Sequence, residues 1–183
     1  MRSRTLLVTV FGLGHLRPAS GTWGSAPLPA LALLLTWALG ASGLTTADHL
    51  LINASLVAVG LFFAVACVVG GAAAEARFGR KDPSQVVADE VAGQAIALLA
   101  LPWRSMTAAA SNLPTDLYWN VALAGTAFLT FRLFDIIKPP PANALQRLPG
   151  GWGILVDDLF AGAYALVATH LLVRYAWTPL LGG

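Results

Sequence analysis

Charge is scarce in this chain. Only 11% of its residues are Asp, Glu, Lys or Arg, against about 25% in a soluble domain. That excludes an ordinary solvated surface. There is one cysteine, Cys67, inside an apolar run, so no intrachain disulfide can form. It reads as a small buried hydrophobe rather than a nucleophile. The net charge is only +2, and neither a charge run nor a basic stripe interleaved with aromatics occurs. A nucleic-acid partner is therefore not expected. No internal repeat, low-complexity tract or domain linker is visible, and nothing points to an obligatory protein partner.

What the chain has in abundance is apolar sequence: 57% of its 183 residues are hydrophobic, and the mean hydropathy is +0.70. Crossing a hydrocarbon core of about 30 Å takes roughly 20 apolar residues as a helix. Candidate spans are residues 26–46, 50–74, 86–103, 117–137 and 154–177, punctuated by Pro102, Pro114, Pro139–Pro141 and Pro149. The prediction is an all-α, polytopic helical membrane bundle of about five spans, with residues 1–183 forming a single membrane-embedded domain. The opening Met1-Arg-Ser-Arg and the apolar stretch after it imitate a signal peptide. That stretch runs directly into a glycine-rich loop, which favours a short membrane-entering or interfacial segment.

Cation placement sets the expected orientation. Arg2, Arg4, Arg17, Arg77, Arg80, Lys81, Arg132, Lys138 and Arg147 fall on one side, and Arg104 and Arg174 on the other. The first side is predicted to be cytoplasmic, with the N-terminus inside. Seven of the nine carboxylates, all but Asp48 and Asp116, fall on that same side. Topology does not require this second asymmetry, so chemistry is its natural cause.

Four segments carry it. In Gly12-Leu-Gly14-His15 and Gly21-Thr22-Trp23-Gly24-Ser25, glycines allow close backbone approach, and Thr22 and Ser25 suit a helix cap or a phosphate contact. Alone, such a turn is more often only a cap. In the segment from Asp82 to Gly93, Asp82-Pro83 suits a helix start. Asp89 and Glu90 would then sit two turns in, entering apolar surroundings, where an unpaired carboxylate is costly. Arg132, Asp135 and Lys138 recur at helical spacing. They form either an intrahelical ion pair or an anion clamp. Asp157 and Asp158 follow a glycine-rich turn; helix-dipole complementation is the simple reading. Yet Ala161 and Gly162 repeat the pattern of acids followed by small residues seen at Asp89–Gly93. Together, Asp89, Glu90, Asp135, Asp157 and Asp158 form an acidic cluster that would repel itself without divalent cations or protons. All-oxygen ligation selects Mg²⁺ or Ca²⁺, with Arg132 and Lys138 free to neutralise a phosphoryl group. His49 and His170 read as structural, and His15 as a minor proton-donor candidate.

In this order and spacing, GLGHLRPASGTWGS, DPSQVVADEVAG, FRLFDIIKPPP and GGWGILVDDLFAG resemble the phosphatidylglycerophosphatase A family. They cover about a third of the chain. The resemblance implies an all-α fold and Mg²⁺-dependent hydrolysis of phosphatidylglycerophosphate to phosphatidylglycerol and inorganic phosphate in a bacterial inner membrane. It carries the family's acidic positions onto Asp89, Glu90, Asp135, Asp157 and Asp158. On this reading Asp89, Asp135, Arg132 and Lys138 are catalytic. Gly14, Arg17, Gly21, Thr22 and Ser25 bind substrate, a phospholipid. Asp89, Glu90, Asp157 and Asp158 hold metal. One departure is the loop Arg17-Pro-Ala-Ser-Gly-Thr22, where a proline before Gly-Thr is expected. Arg17 adds a cation there that could meet a phosphate or an anionic headgroup. The histidine-dependent lipid phosphatases need an Arg-rich motif and paired site histidines, which this chain lacks. A small ion or proton transporter is the alternative from another class, since it too would use membrane-embedded acids.

Overall fold

A computed structural model describes residues 2–106 and 112–181. Among them all regular structure is helical: α1 (Arg2–Val8), α2 (Ser20–Ser25), α3 (Pro27–Leu39), α4 (Thr46–Phe78), α5 (Ala88–Ala97), α6 (Leu113–Ile137), α7 (Ala142–Leu145), α8 (Gly151–Leu172) and α9 (Thr178–Leu181). Four helical stretches are long and apolar enough to cross a membrane: Ser20–Ser42, Thr46–Phe78, Thr115–Ile137 and Gly151–Leu180. The 33 residues of α4 make a rod of about 50 Å at 1.5 Å per residue. That is longer than a hydrocarbon core of about 30 Å.

Among the described residues four helical stretches meet that length, where the sequence suggested about five spans, and the stretch 86–103 is the one that does not. The stretch 86–103 contains only the ten residues of α5, about 15 Å of helix, followed by a turn and irregular chain. The residues that end α5 are held individually. Ala100, with φ of 56°, donates its N–H to Asn53 Oδ1 at 2.7 Å. The Asn120 side chain accepts from Arg104 N at 2.9 Å and donates to Arg104 O at 2.7 Å. Trp119 Nε1 donates to Pro102 O at 2.8 Å, and Ser105 Oγ to Gly40 O at 2.5 Å. Non-helical backbone inside a membrane bundle is tolerated only where protein satisfies its polar groups. Asn53, Trp119, Asn120 and Ser105 do that here.

Close approach of small residues packs the centre. A Cβ on Gly93 would lie 2.5 Å from both the Asp158 carbonyl and the Phe131 ring, and one on Gly162 would stand 3.1 Å from Gly93 carbonyl carbon. α5 and α8 therefore cross with their backbones touching. A Cβ on Gly71 would lie 2.5 Å from Gly151 Cα, which brings the start of α8 equally close to α4. The two outlying acids have local partners. Asp48 closes a capping box with Thr45 at the start of α4, and Asp116 pairs with Arg104 at 3.6 Å. Both lie at the end of the bundle opposite the remaining carboxylates.

Candidate active site

One correction concerns where the acids sit on their helices. Residues 82–87 are not helical; α5 begins at Ala88. Asp82 takes a left-handed φ of 46°. Val86 N bonds back to Pro83 O, and Val87 N bonds to Val8 O, tying this loop to the end of α1. Asp89 and Glu90 thus lie in the first turn of α5, where they complement the helix dipole. Asp157 and Asp158 lie six and seven residues after Gly151, well inside α8, so the dipole does not account for them.

Because α5 and α8 cross at Gly93 and Gly162, Asp158 is carried against the first turn of α5. Asp89, Glu90 and Asp158 each present a carboxylate oxygen within 4.8 Å of the others. Asp89 is 6% exposed and Asp158 2%. Asp89 Oδ1, Glu90 Oε2 and Asp158 Oδ2 are buried and accept no hydrogen bond. Two unit charges at that spacing repel by roughly 3 kcal/mol at an effective dielectric constant near 20. Three orphaned carboxylate oxygens converging in this way fit a hard divalent cation.

A cavity of about 240 Å³ opens over this cluster, and Arg132, Asp135, Lys138 and Gly21 line it with the three acids. Arg132 Nη1 meets Asp135 Oδ2 at 2.6 Å. A Cβ on Gly21 would stand 2.7 and 2.8 Å from the two terminal nitrogens of Arg132 and would also clash with Glu90 Oε1. Any larger residue there would fill the space between guanidinium and acids. Three lining residues other than glycine, Ala19, Asp82 and Lys138, hold positive φ values of 57°, 46° and 49°. Backbone strain of this sort costs of order 1–3 kcal/mol per residue and gathers at functional sites.

Asp157 is engaged through one oxygen only, while its Oδ1 is buried and accepts no hydrogen bond. Its Oδ2 accepts from Lys138 Nζ at 2.6 Å and from Gln146 Nε2 at 2.7 Å. Burial works against the Lys138 ammonium, but the hydrogen bond and charge of Asp157, with Asp158 and Asp135 nearby, raise its pKa above the ordinary value. The glycine-loop residues are divided. Gly14 and Arg17 line a neighbouring hollow instead of this cavity. Ser25 Oγ turns back to Gly21 O at 2.8 Å, and Thr22 is half-buried and absent from the cavity lining. His15 rests against Phe78, ring centroids 6.2 Å apart, and His170 bonds to Leu166 O. Sequence reasoning missed Arg80, Ser20 and Gln146. Arg80 had been counted only for its sign, and Gln146 carries no charge to mark it.

Carboxylates and cations gathered at one end of a helical bundle long and apolar enough to cross a membrane suit phosphate chemistry. Comparison with known proteins makes this particular. The family model for phosphatidylglycerophosphatase A matches residues 6–173, and the chain belongs to that family, one of phosphoric monoester hydrolases. It is 33% identical over 168 residues to phosphatidylglycerophosphatase A of Haemophilus influenzae, covering 91% of this chain and 86% of that one. A Bacteroides thetaiotaomicron protein with the provisional name phosphatidylinositol-3-phosphatase is also 33% identical, covering 88% of each chain. Phosphatidylglycerophosphatase A of Escherichia coli is 35% identical over 85 residues, 46% of this chain and 41% of that one. No solved structure matches. The transporter alternative finds no support in these relatives.

Proposed function

We propose that this protein hydrolyses the phosphate monoester of phosphatidylglycerophosphate, releasing phosphatidylglycerol and inorganic phosphate, in a bacterial inner membrane with its site facing the cytoplasm. The observation that carries the reading is the set of unpartnered oxygens on Asp89, Glu90 and Asp158, beneath a cavity that also holds Arg132 and Lys138. Asp89, Glu90 and Asp158 would hold Mg²⁺, which supplies Lewis-acid stabilisation of a phosphoryl group when bound. Arg132 and Lys138 bind the phosphoryl oxygens as their charge develops, Arg132 offering a planar fork for two of them. Asp135 orients that fork, and Gly21 leaves the space beside it. With the monoester so held, water attacks phosphorus and the bond to the glycerol oxygen breaks. A carboxylate of the site, Asp89 or Asp135, takes the proton from the attacking water, and the glycerol oxygen leaves as a hydroxyl by taking a proton from solvent, to which the carboxylate then returns its own.

Phosphate release from phosphatidylglycerophosphate in mixed micelles tests this directly. Purified protein should be active with Mg²⁺, inactive in excess EDTA, and active again when Mg²⁺ is restored. Full activity under thorough chelation would remove the metal from the proposal.

A further inference from the structure

A second hollow, of about 360 Å³, adjoins the carboxylate cavity and is bounded by Gly14, His15, Arg17, Ser20, Ser84 and Gln85 among others. The two share Ala19, Ser20 and Ser84. Their common wall is pinned, because Ser20 Oγ donates to Ser84 O at 2.5 Å. The Gln85 backbone also packs so tightly on Gly14 that no side chain would fit there.

The chemistry of the two hollows differs. The first is lined by Asp82, Asp89, Glu90, Asp135 and Asp158, the second by no acid at all. Its cation, Arg17, is exposed and has no ion-pair partner among the described residues. Gln85 Oε1 is buried and accepts no hydrogen bond. At about 30 Å³ per water, the hollow has room for roughly a dozen waters, more than a lone phosphate fills. Phe11 and Leu16, exposed by 65% and 42%, stand on the chain between α1 and α2, and Trp23, exposed by 45%, on α2 itself. Such aromatic and aliphatic groups belong where headgroups meet acyl chains.

We propose that this second hollow is a subsite for the phosphodiester and polyol of the lipid headgroup, with Arg17 pairing the diester and the neutral residues Ser20, Ser84 and Gln85 bounding the space for the polyol. It rests on the phosphatase reading above and deepens it. The protein would select lipids that carry two phosphates separated by a polyol, and a phosphate monoester without the diester would fill only half the site. A diester carries one diffuse negative charge, so a single exposed cation and neutral polar groups suit it. The acid-lined cavity, by contrast, needs bound cations before it accepts any anion.

The test uses the full chain in detergent micelles with Mg²⁺ and two probes that cannot be hydrolysed. Glycerophosphoglycerol carries the diester and polyol without a monoester, and inorganic phosphate carries neither diester nor polyol. By isothermal titration, Arg17→Gln should weaken glycerophosphoglycerol about tenfold, as loss of a charge-assisted hydrogen bond would. The Kd for inorganic phosphate should stay within about twofold, and Arg17→Lys should retain most of the diester affinity. The subsite is overturned if wild type does not bind glycerophosphoglycerol, if Arg17→Gln leaves its affinity unchanged, or if both probes weaken alike. Failure to release phosphate from phosphatidylglycerophosphate would instead defeat the phosphatase reading, with Arg17-dependent binding of the diester still measurable.

Discussion

At the scale of single residues, the adjacent pair Asp157 and Asp158 shows most clearly what a linear pattern can and cannot convey. Neighbours on a helix point about 100° apart. Asp158 therefore joins Asp89 and Glu90, while Asp157 meets Lys138 and Gln146. The two should fail differently when changed to Asn. Asp158→Asn should lower kcat by at least about 100-fold, the loss of some 3 kcal/mol of transition-state stabilisation. In EDTA its thermal midpoint should hold or rise, because one of three repelling charges is gone. Asp157→Asn should lower the midpoint, costing about 1–3 kcal/mol as the Lys138 ammonium loses its charged partner and the Gln146 amide a strong acceptor, and cost less activity. Thermal scans in EDTA beside kcat measurements check both; a lowered midpoint for Asp158→Asn would mean that the cluster is held together by something other than a cation. That acids gather at one end was legible in the sequence, because a carboxylate is conspicuous where charge is scarce. Which of two adjacent acids faces the site was not, since this depends on how α8 is rotated about its axis.

At the scale of elements, the long spans were readable because twenty apolar residues permit little else. α5 was not. A hydropathy window over 86–103 cannot separate a full span from a half-length helix followed by a turn and irregular chain. The difference lies in Asn53, Trp119 and Asn120, far away in sequence. Asp82-Pro83 looked like a helix start, yet the left-handed Asp82 and the bond from Val87 to Val8 delay the helix to Ala88. Once α5 is short, its crossing with α8 becomes the joint on which the site depends. Gly162→Ala would press a methyl into the Gly93 carbonyl. Overpacking of this kind costs about 1–3 kcal/mol, and here it would also push Asp158 away from Asp89. Activity should fall by more than the loss of folded protein explains, measured as kcat per folded molecule. Equal losses of the two would mean that the crossing holds the fold but does not position the acids.

At the scale of the whole molecule, Arg104, Asp116 and Asp48 lie at one end of the bundle and the carboxylate cavity at the other. The proposed orientation puts the cavity in the cytoplasm. In a Cys67→Ala background, a cysteine at Ala142 should be labelled by an impermeant maleimide only from the cytoplasmic side, and one at Asn112 only from the periplasmic side. The reverse pattern would move the site to the face away from newly made lipid. The short α5 also bears on how the protein is made. A segment carrying Asp89, Glu90 and Gln94, and ended by an unwound stretch with Pro102, is poorly suited to partition into lipid by itself. Its neighbours α4 and α6 leave the ribosome near it, but α8, against which Gly93 packs and whose His170 approaches Ala100 O at 3.3 Å, comes last. The expected consequence is a waiting step in biogenesis, with α5 entering only after α8 arrives to receive it. A chain stopped at Leu148 should leave a cysteine at Gln94 open to aqueous maleimide, and the full chain should protect it.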